Sequence, residues 1–372
     1  MKKLALLLGS LLVVGTTAQA KEVIAAPVEV SKEVVVVAEE VVEVITPAFR
    51  PSGYVGVQYR AYGETEGHGD KIIDRNANGD AADDNQDTWN RGANNYSRLE
   101  TTFGVQATEN FSFEGRIRDY NNLESNDSDK YDNGEAGTET RLRAYYQHND
   151  WLTSRVQYRD EEDDSQNLEY QIRMLAYKNE GGLLSKLLFA PKVYHSFPED
   201  GGGNYMNTIG MDIEYAGNLP LGFTWDGTIY LNQNFYNHDF YTGANGDQGK
   251  DAKDTEFAPE WEIYLYRTFA LYSTDRYAID LNFEGGYDPY KFGQYDKYTE
   301  DTKTGQYVKT SNKTTYSLYA QFALEADYKI NEYLTANAGV AAEYRNWSNT
   351  DQNSASHWRW QPFAFVGMKT TF

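Results

Sequence analysis

Apolar and polar residues alternate along most of the chain after residue 52. Near the start of this region, Val55 and Val57 share one face, whereas Gln58 and Arg60 lie on the other. Successive side chains of a β-strand point to opposite faces, so each alternating segment predicts a strand with one apolar and one polar side. The alternation continues to the last residue of the chain.

Fourteen segments of this kind follow one another in residues 53–372. Segment 186–195 alternates less clearly and contains Pro191, which is restricted in sheets, but it is also predicted to be a strand. Single-chain bacterial barrels have an even number of strands. The pattern therefore predicts an all-β fold, a transmembrane antiparallel meander β-barrel of about 14 strands with a water-filled lumen. The segments are 54–62, 98–107, 111–120, 140–148, 151–159, 167–177, 186–195, 207–216, 222–234, 260–269, 277–287, 315–327, 333–345 and 358–372.

The connections between these segments alternate in length. Tight turns at 108–110, 148–150, 273–275 and 329–332 separate longer polar loops. Long loops outside and short turns in the periplasm are typical of outer-membrane barrels. Two connections on the long side are shorter than the others, 160–166 and 196–204. The predicted long loops are 64–93, 121–138, 235–256, 288–313 and 346–357.

The N-terminal region differs from the alternating region. Two lysines, an apolar run over 4–14 and an A-x-A site at 18–20 predict a secretory signal peptide over residues 1–20, cleaved after Ala20. The apolar run is shorter than the roughly 20 residues of a membrane-spanning helix. Residues 21–52 are predicted to form a Val/Glu-rich periplasmic spacer, with a short helix or a self-associating segment as the alternative.

The composition fits either a soluble secreted protein or a membrane barrel until the aromatic content is considered. Mean hydropathy is −0.71 and charged residues make up 24% of the chain, but 15% of the residues are aromatic. Aromatic side chains form girdles at the two interfaces of a membrane barrel. Candidates at the short-turn ends are Phe111, Trp151, Tyr177, Tyr215, Phe223, Tyr277, Tyr328 and Tyr333, and those at the long-loop ends are Tyr62, Tyr96, Tyr120, Tyr158, Tyr236, Tyr344 and Trp358.

Several kinds of chemistry find little support in the sequence. The formal net charge of −22 argues against nucleic-acid binding, and the absence of cysteine excludes disulfides and thiol chemistry. The five histidines lack ligand spacing, so no metal or other cofactor is predicted. Residues 74–79 begin like a calcium loop, but Asn85 stands where the pattern needs Glu, so a flexible acidic loop is favoured over weak divalent binding. The chain is predicted not to be an enzyme, although a barrel lipase or protease could distribute its site across strands.

The last strand carries a specific feature, because the chain ends in Phe372 and alternate residues before it are apolar. Met368, Val366 and Ala364 share the face of Phe372. A C-terminal strand of this form resembles the signal that outer-membrane assembly machinery reads. We therefore expect this machinery, outer-membrane lipid and lipopolysaccharide to be partners of the chain. The predicted location is the outer membrane of a Gram-negative type of cell.

The polar faces of the first six predicted strands are rich in arginine. A barrel of this many strands is too wide for side chains to fill its lumen. These faces are therefore predicted to enclose water and to form a basic wall. Three acids, Glu100, Glu114 and Glu169, share the wall with nine arginines. The arginines are Arg60, Arg98, Arg116, Arg118, Arg141, Arg143, Arg155, Arg159 and Arg173.

The polar faces of strands eight to thirteen are rich in acids instead. Eight carboxylates oppose the single base Arg345 there, and we call this side the acidic wall. Consecutive strands are neighbours in a meander barrel, so the two walls are predicted to face one another. The acids are Asp212, Glu214, Asp226, Glu262, Asp280, Glu284, Glu325 and Glu343.

Opposed charged walls would create a transverse field that favours hydrated polar solutes. The alternative is that these residues only neutralise one another in a polar lumen. The leading hypothesis for function is a porin that lets ions and small hydrophilic solutes diffuse passively. The competing hypotheses are a substrate-specific channel and a surface adhesin or structural barrel with a plugged lumen.

Four segments resemble a known family. They are MKKLALLLGSLLVVGTTAQAKEV at the start, VQYRAYGETE in the first strand, EGGYDPYKFGQY, and WRWQPFAFVGMKTTF at the end. These segments are similar to the FomA family of fusobacterial major outer-membrane porins. The resemblance implies a non-specific, voltage-responsive porin of fourteen strands, a homotrimer, and a surface-exposed adhesin with host or bacterial surface partners.

Overall fold

The computed structural model describes residues 49–66, 95–123, 137–161, 165–197, 203–244, 247–300, 307–311, 314–315, 318–346 and 358–372. The signal peptide predicted for residues 1–20 and the spacer up to residue 48 lie outside this part of the chain. The calcium-like motif at 74–79 and most of the predicted loops 64–93, 121–138 and 346–357 lie outside it as well.

Seventeen β-strands occur in the described residues. Fourteen of them, β1 to β11 and β15 to β17, are long and follow one another around the sheet, whereas β12 to β14 are short and lie within one connection. The strands are β1 (Ser52–Tyr62), β2 (Tyr96–Gln106), β3 (Phe111–Asn122), β4 (Gly137–Asn149), β5 (Leu152–Glu161), β6 (Ser165–Lys178), β7 (Lys186–Phe197), β8 (Met206–Asn218), β9 (Thr224–Ala244), β10 (Asp247–Ser273), β11 (Tyr277–Phe292), β12 (Lys297–Glu300), β13 (Tyr307–Ser311), β14 (Thr314–Thr315), β15 (Leu318–Lys329), β16 (Leu334–Asn346) and β17 (Trp358–Thr371).

The sheet closes on itself because β1 pairs with β2 on one side and with β17 on the other. All of these pairings are antiparallel, and the predicted barrel of fourteen strands is confirmed. Closure satisfies the backbone groups that an edge strand would leave unpaired. The weakly alternating segment 186–195 also forms a barrel strand, in which Pro191 stands opposite Met211 of β8.

The prediction of a long loop over 235–256 is wrong. β9 and β10 are 21 and 27 residues long, and they continue their pairing beyond the other strands as far as the pair Ala244 and Asp247. Strand β12, from the predicted loop 288–313, adds to this extension by pairing Thr242 of β9 with Lys297. Bulges interrupt the β9–β10 register, and such bulges bend and twist a hairpin.

The short turns are held by local hydrogen bonds. In the turn between β15 and β16, the Asn331 side-chain oxygen accepts hydrogen bonds from the backbone nitrogens of Tyr333 and Leu334, at 2.8 and 2.9 Å. A single 3₁₀ turn, Pro220–Gly222, joins β8 to β9, and Gly222 there has a φ of 74°. Within the described residues, no helix has the length and apolar character needed to cross a membrane.

The outward face of the barrel is apolar and exposed. Its side chains alternate with buried or half-buried polar side chains on the inward face. This is the inverse of a water-soluble barrel and matches a barrel surrounded by lipid. The exposed outward residues include Val55, Val57, Leu99, Ile117, Leu142, Val156, Leu168, Ile172, Val193, Ile209, Phe322, Leu324, Val340, Val366 and Met368.

The aromatic girdle is confirmed in part at the short-turn end, where Trp151 and Tyr277 are 55% and 54% exposed. At the long-loop end the prediction is wrong for Tyr62, Tyr96 and Tyr120, which are buried. These three residues occupy the same face of their strands as the arginines Arg60, Arg98 and Arg118, so they point into the barrel. Position near a strand end therefore does not decide which face an aromatic residue occupies.

Candidate functional site in the barrel lumen

The structure places all of the residues predicted for the two walls on the inward face. Arg98, Arg116 and Arg118 are almost fully buried, at 2% exposure or less, and the other six arginines are buried or half-buried. The eight predicted acids are buried or half-buried as well. The inward face of β1 to β6 is thus the basic wall, as defined above.

Carboxylates within the basic wall bind several of these arginines. Arg118 donates to Glu100 at 2.5 Å, and Arg155 donates to Glu169 at 2.5 Å. Arg143 reaches Glu114 at 3.2 Å. Buried charges require such partners, because desolvation of an isolated ion is costly.

Glu139 is an acid of the basic wall that the sequence interpretation missed. It accepts from Arg116 at 2.7 Å and from Arg118 at 3.3 Å, and it lies 3.6 Å from Arg159. The predicted strand began at residue 140, one position too late to include it. The signal was present in the sequence, because Glu139 stands two positions before Arg141 and therefore shares its face.

Two lysines of β7 were also missed, since this strand alternates poorly. Lys192 lies 2.7 Å from Asp212, and Lys186 lies 2.9 Å from Glu214, to which Arg173 also donates. Two of the eight residues predicted for the acidic wall, Asp212 and Glu214, are therefore paired with lysines of β7. The change from basic to acidic character occurs at β7 and β8.

Further around the barrel, neutral side chains donate to the acids. Tyr230 and Tyr264 both donate to Glu262, the latter at 2.9 Å, and Tyr319 donates to Glu284 at 2.7 Å. Phenol donors satisfy a carboxylate without adding a positive charge.

Uncharged donors also contact Asp226 and Glu325, whereas Glu343 forms an ion pair with a base. Tyr266 lies 3.4 Å from Asp226, and two asparagine amides donate to Glu325 at 3.1 and 2.7 Å. Arg345, the base predicted for this wall, donates to Glu343 at 2.6 Å. Asp280 stands directly opposite Glu325 in the register of β11 and β15.

Aromatic side chains pack on the lumen side near the long-loop ends of the strands. The rings of Tyr62 and Tyr96 stack with centroids 4.2 Å apart, and Phe363 lies 5.1 Å from Tyr62. The Arg60 guanidinium carbon lies 5.4 Å from the Phe363 ring and 5.6 Å from that of Phe365. These contacts shield a cation with aromatic faces. The sequence-based prediction for the last strand concerned its outward residues, and the inward phenylalanines were not part of it.

An ion pair joins the β9–β10 extension to β12. Lys297 lies 2.7 Å from a Glu256 oxygen and donates to the Tyr236 hydroxyl at 3.1 Å. Burial alone would lower the pKa of Lys297, but the hydrogen bond to Glu256 and the interaction with Tyr236 outweigh it and raise this pKa. Lys297 therefore remains protonated at neutral pH and ties the extension to β12.

Groups of His, Cys, Asp and Glu suited to holding a metal ion do not occur in the part of the chain that the structure describes. Two of the five histidines form hydrogen bonds with neutral side chains. His148 pairs with the Ser154 hydroxyl and His195 donates to the Asn207 side-chain oxygen, at 2.8 Å in each case.

No family model matches the chain, and no curated protein matches it. Among solved structures, it is similar to a bacterial polysaccharide outer membrane secretin, with 10% identity, a TM-score of 0.39, and coverage of 86% of this chain and 98% of that one. It is also similar to the translocator domain of the autotransporter NalP from Neisseria meningitidis, with 13% identity, a TM-score of 0.33, and coverage of 88% and 90%.

A third similar structure is OccAB1 of Acinetobacter baumannii, with 11% identity, a TM-score of 0.35, and coverage of 87% of this chain and 96% of that one. At these identities and TM-scores, none of the three likenesses carries an argument about the function of this chain. The argument about function rests instead on the closed sheet and on the distribution of charge within it.

Proposed function

We propose that this chain is an outer-membrane channel through which ions and small hydrophilic solutes diffuse passively. The observation that carries the proposal is the contrast between the two faces of the closed sheet. The outward face exposes residues such as Val340 and Val366, whereas the inward face carries arginines and carboxylates. A closed barrel with an apolar outer band and a polar interior is the architecture of a bacterial porin.

Charge segregation supports a channel of low chemical specificity. Arginines concentrate on β1 to β6, while Asp226, Glu262 and Glu284 on β9 to β11 accept hydrogen bonds from tyrosine hydroxyls. Separated walls produce a field across the lumen, which favours hydrated ions and dipolar solutes over apolar ones. The resemblance to the FomA family supports the same function and adds voltage response and a homotrimer to the proposal. The form of the last strand adds recognition of Phe372 by outer-membrane assembly machinery.

Planar-bilayer recording of the refolded mature chain tests this function. We expect stepwise conductance and a reversal potential across a salt gradient that depends on the wall charges. Replacing Arg141, Arg143 and Arg155 together with Ser removes positive charge from the basic wall and shifts ion selectivity toward cations. Arg276→Ser, at an exposed residue of the turn between β10 and β11, serves as the control and leaves the reversal potential unchanged.

The two parts of the proposal fail separately. Protein that inserts into the bilayer without stepwise current contradicts the channel. Unchanged reversal potentials in the triple variant contradict the functional role of the basic wall. Saturable block of the current by one neutral solute, but not by its relatives of equal size, would indicate a substrate-specific channel instead.

A second role in surface contact is favoured by the extension of β9 and β10. This hairpin continues past the other barrel strands and carries the exposed residues His238 and Asp239. Such an extension on the long-loop side is available to partner cells. Cells that lack the protein should lose partner-cell adhesion, and cells expressing a chain with His238 and Asp239 replaced by Ala should lose part of it while conductance remains.

A further inference from the structure

Three arginines stand side by side on the lumen face of adjacent strands. Arg116 of β3 is directly opposite Arg141 of β4, and Arg141 is directly opposite Arg159 of β5. We call these three residues the arginine row. Like charges placed directly opposite each other on neighbouring strands destabilise a sheet. Nothing about barrel closure requires this arrangement, since uncharged polar residues would satisfy the same positions.

The acid Glu139 is shared between the row and a neighbouring arginine. Glu139 accepts from Arg116 at 2.7 Å and lies 3.6 Å from Arg159, but it also accepts from Arg118 at 3.3 Å. One carboxylate is thus shared by three guanidinium groups. A second acid, Glu100, contacts Arg118 at 2.5 Å and Arg98 at 3.6 Å, and neither of these arginines belongs to the row.

Arg141, at the centre of the row, has no directly paired carboxylate among the described residues, and Glu114 interacts with it only at longer range. It is 9% exposed, and it makes no hydrogen bond or ion pair within 4.0 Å with any residue of the described part of the chain. The Nε and Nη1 atoms of Arg116, which faces it, are also buried without a hydrogen-bond partner among the described residues. Donors from two adjacent guanidinium groups are therefore unused on one patch of wall.

The neighbouring arginines, unlike Arg141, have hydrogen-bond and ion-pair partners. One step along the strands toward the short-turn side, Arg143 donates to Gln157 at 2.5 Å and lies 3.2 Å from Glu114. On β5, four positions before Arg159, Arg155 has Glu169 at 2.5 Å. These arginines have their own partners, whereas Arg141 has no ion pair among the described residues.

Buried charge without a counter-charge is costly, so it marks a place where a counter-ion resides. We propose that the arginine row is a binding site for a small oxyanion, a phosphate or carboxylate group, taken from the lumen. Guanidinium groups present planar pairs of donors that match the spacing of oxygens in such anions. Bound anion supplies the acceptor that Arg141 lacks and relieves repulsion along the row. This inference deepens the proposed channel function, since the anion reaches the row through lumen water.

Binding is measured on refolded protein in a zwitterionic detergent, with inorganic phosphate as the probe and total ionic strength held constant. We expect saturable binding by calorimetry and a thermal midpoint that rises with phosphate concentration. Arg141→Gln weakens phosphate binding about tenfold or more, because hydrogen bonds to charged groups are lost. The matched control is Arg143→Gln, which changes the same charge on the same strand and leaves phosphate affinity within about twofold of the original.

The stability of the phosphate-free protein distinguishes this site from a structural role of Arg141. If the row is a binding site, Arg141→Gln removes an uncompensated charge, raises the thermal midpoint without phosphate and abolishes the further increase that phosphate produces. A structural arginine predicts a lower midpoint instead. Arg141→Lys keeps the charge but not the paired donors, so it is expected to bind phosphate less tightly than the unaltered protein.

Two results would overturn the site: phosphate binding that Arg141→Gln leaves intact, or equal losses in Arg141→Gln and Arg143→Gln, which indicate non-specific attraction. The micelle measurement does not depend on conduction. Saturable binding in a protein that fails to conduct rejects the channel alone, whereas conduction without saturable phosphate binding rejects the site alone.

Discussion

Gly53 and Phe372 exchange two backbone hydrogen bonds, from each nitrogen to the other's carbonyl oxygen, at 2.9 and 3.0 Å. The first barrel strand is thereby joined to the terminal residue of the chain. A β-carbon added at Gly53 would lie 2.8 Å from the Phe372 ring and 2.5 Å from the Gly104 carbonyl oxygen. The chain closes its barrel at a position that has no space for a larger residue.

Gly53→Ala is expected to weaken closure. The added methyl group must displace the Gly104 backbone, and overpacking of this kind costs about 1–3 kcal/mol. The free energy of unfolding, measured by urea titration with heat-modifiable gel mobility as the readout, should fall by this amount. Gly203→Ala is the control, since its β-carbon would meet no atom within 4 Å. Equal effects of the two substitutions would contradict the close approach at the seam.

The free-energy cost of placing a charge on the outward face should depend on how deep in the bilayer the residue lies. Val340, in the middle of β16, is 59% exposed on the outward face. Val340→Arg should destabilise the barrel by about 2–4 kcal/mol, because an arginine at the bilayer midplane is poorly solvated. Leu334→Arg, on the same face at the short-turn end of the strand, should cost about 0–1 kcal/mol. Folding titrations in lipid vesicles measure both, and similar costs would reject a membrane around β16.

Glu139→Gln should lower stability and increase anion selectivity together. The substitution removes the carboxylate that Arg116 and Arg118 share, and the loss of one partner of a buried ion pair costs about 3–5 kcal/mol. The lumen also becomes more positive by one charge. Unfolding titrations and reversal potentials across a salt gradient measure the two effects. Glu109→Gln, at an exposed turn residue, should change neither.

Tyr230→Phe tests the tyrosine–carboxylate contacts. The variant loses a hydrogen bond to Glu262 and should be less stable by about 1.5–3 kcal/mol, as expected for a bond to a charged group. The outward-facing, 40% exposed Tyr59 provides the control Tyr59→Phe, which should have little effect on urea-induced unfolding. A stability of Tyr230→Phe equal to that of the control would show that the hydroxyl contact contributes nothing measurable.

The number and order of the strands could be predicted, because a barrel strand in lipid must alternate along its whole length. Even the weakly alternating segment around Pro191, which was predicted to be a strand, forms β7. The inward placement of Arg60 and Glu343 followed from the same alternation. These conclusions needed only the identity of residues two positions apart.

Which side chains stand opposite each other on neighbouring strands could not be predicted in the same way. Arg116 and Arg141 are 25 positions apart in the sequence, and only the β3–β4 register makes them neighbours. A shift of one residue would reverse the faces, and a shift of two would place Arg116 opposite a different side chain. The extension of β9 and β10 was missed as well, because its residues are too polar to show an apolar face.

The sequence by itself determined that alternating segments form a barrel with polar side chains inside and an apolar exterior, since strand geometry assigns successive residues to opposite faces. Only the tertiary structure decided which charges are paired. Register brought Glu139 to Arg116 and left Arg141 between two like charges. The physical reason is that the face of a side chain depends on its local position, whereas the energy of a charge depends on neighbours that distant strands supply.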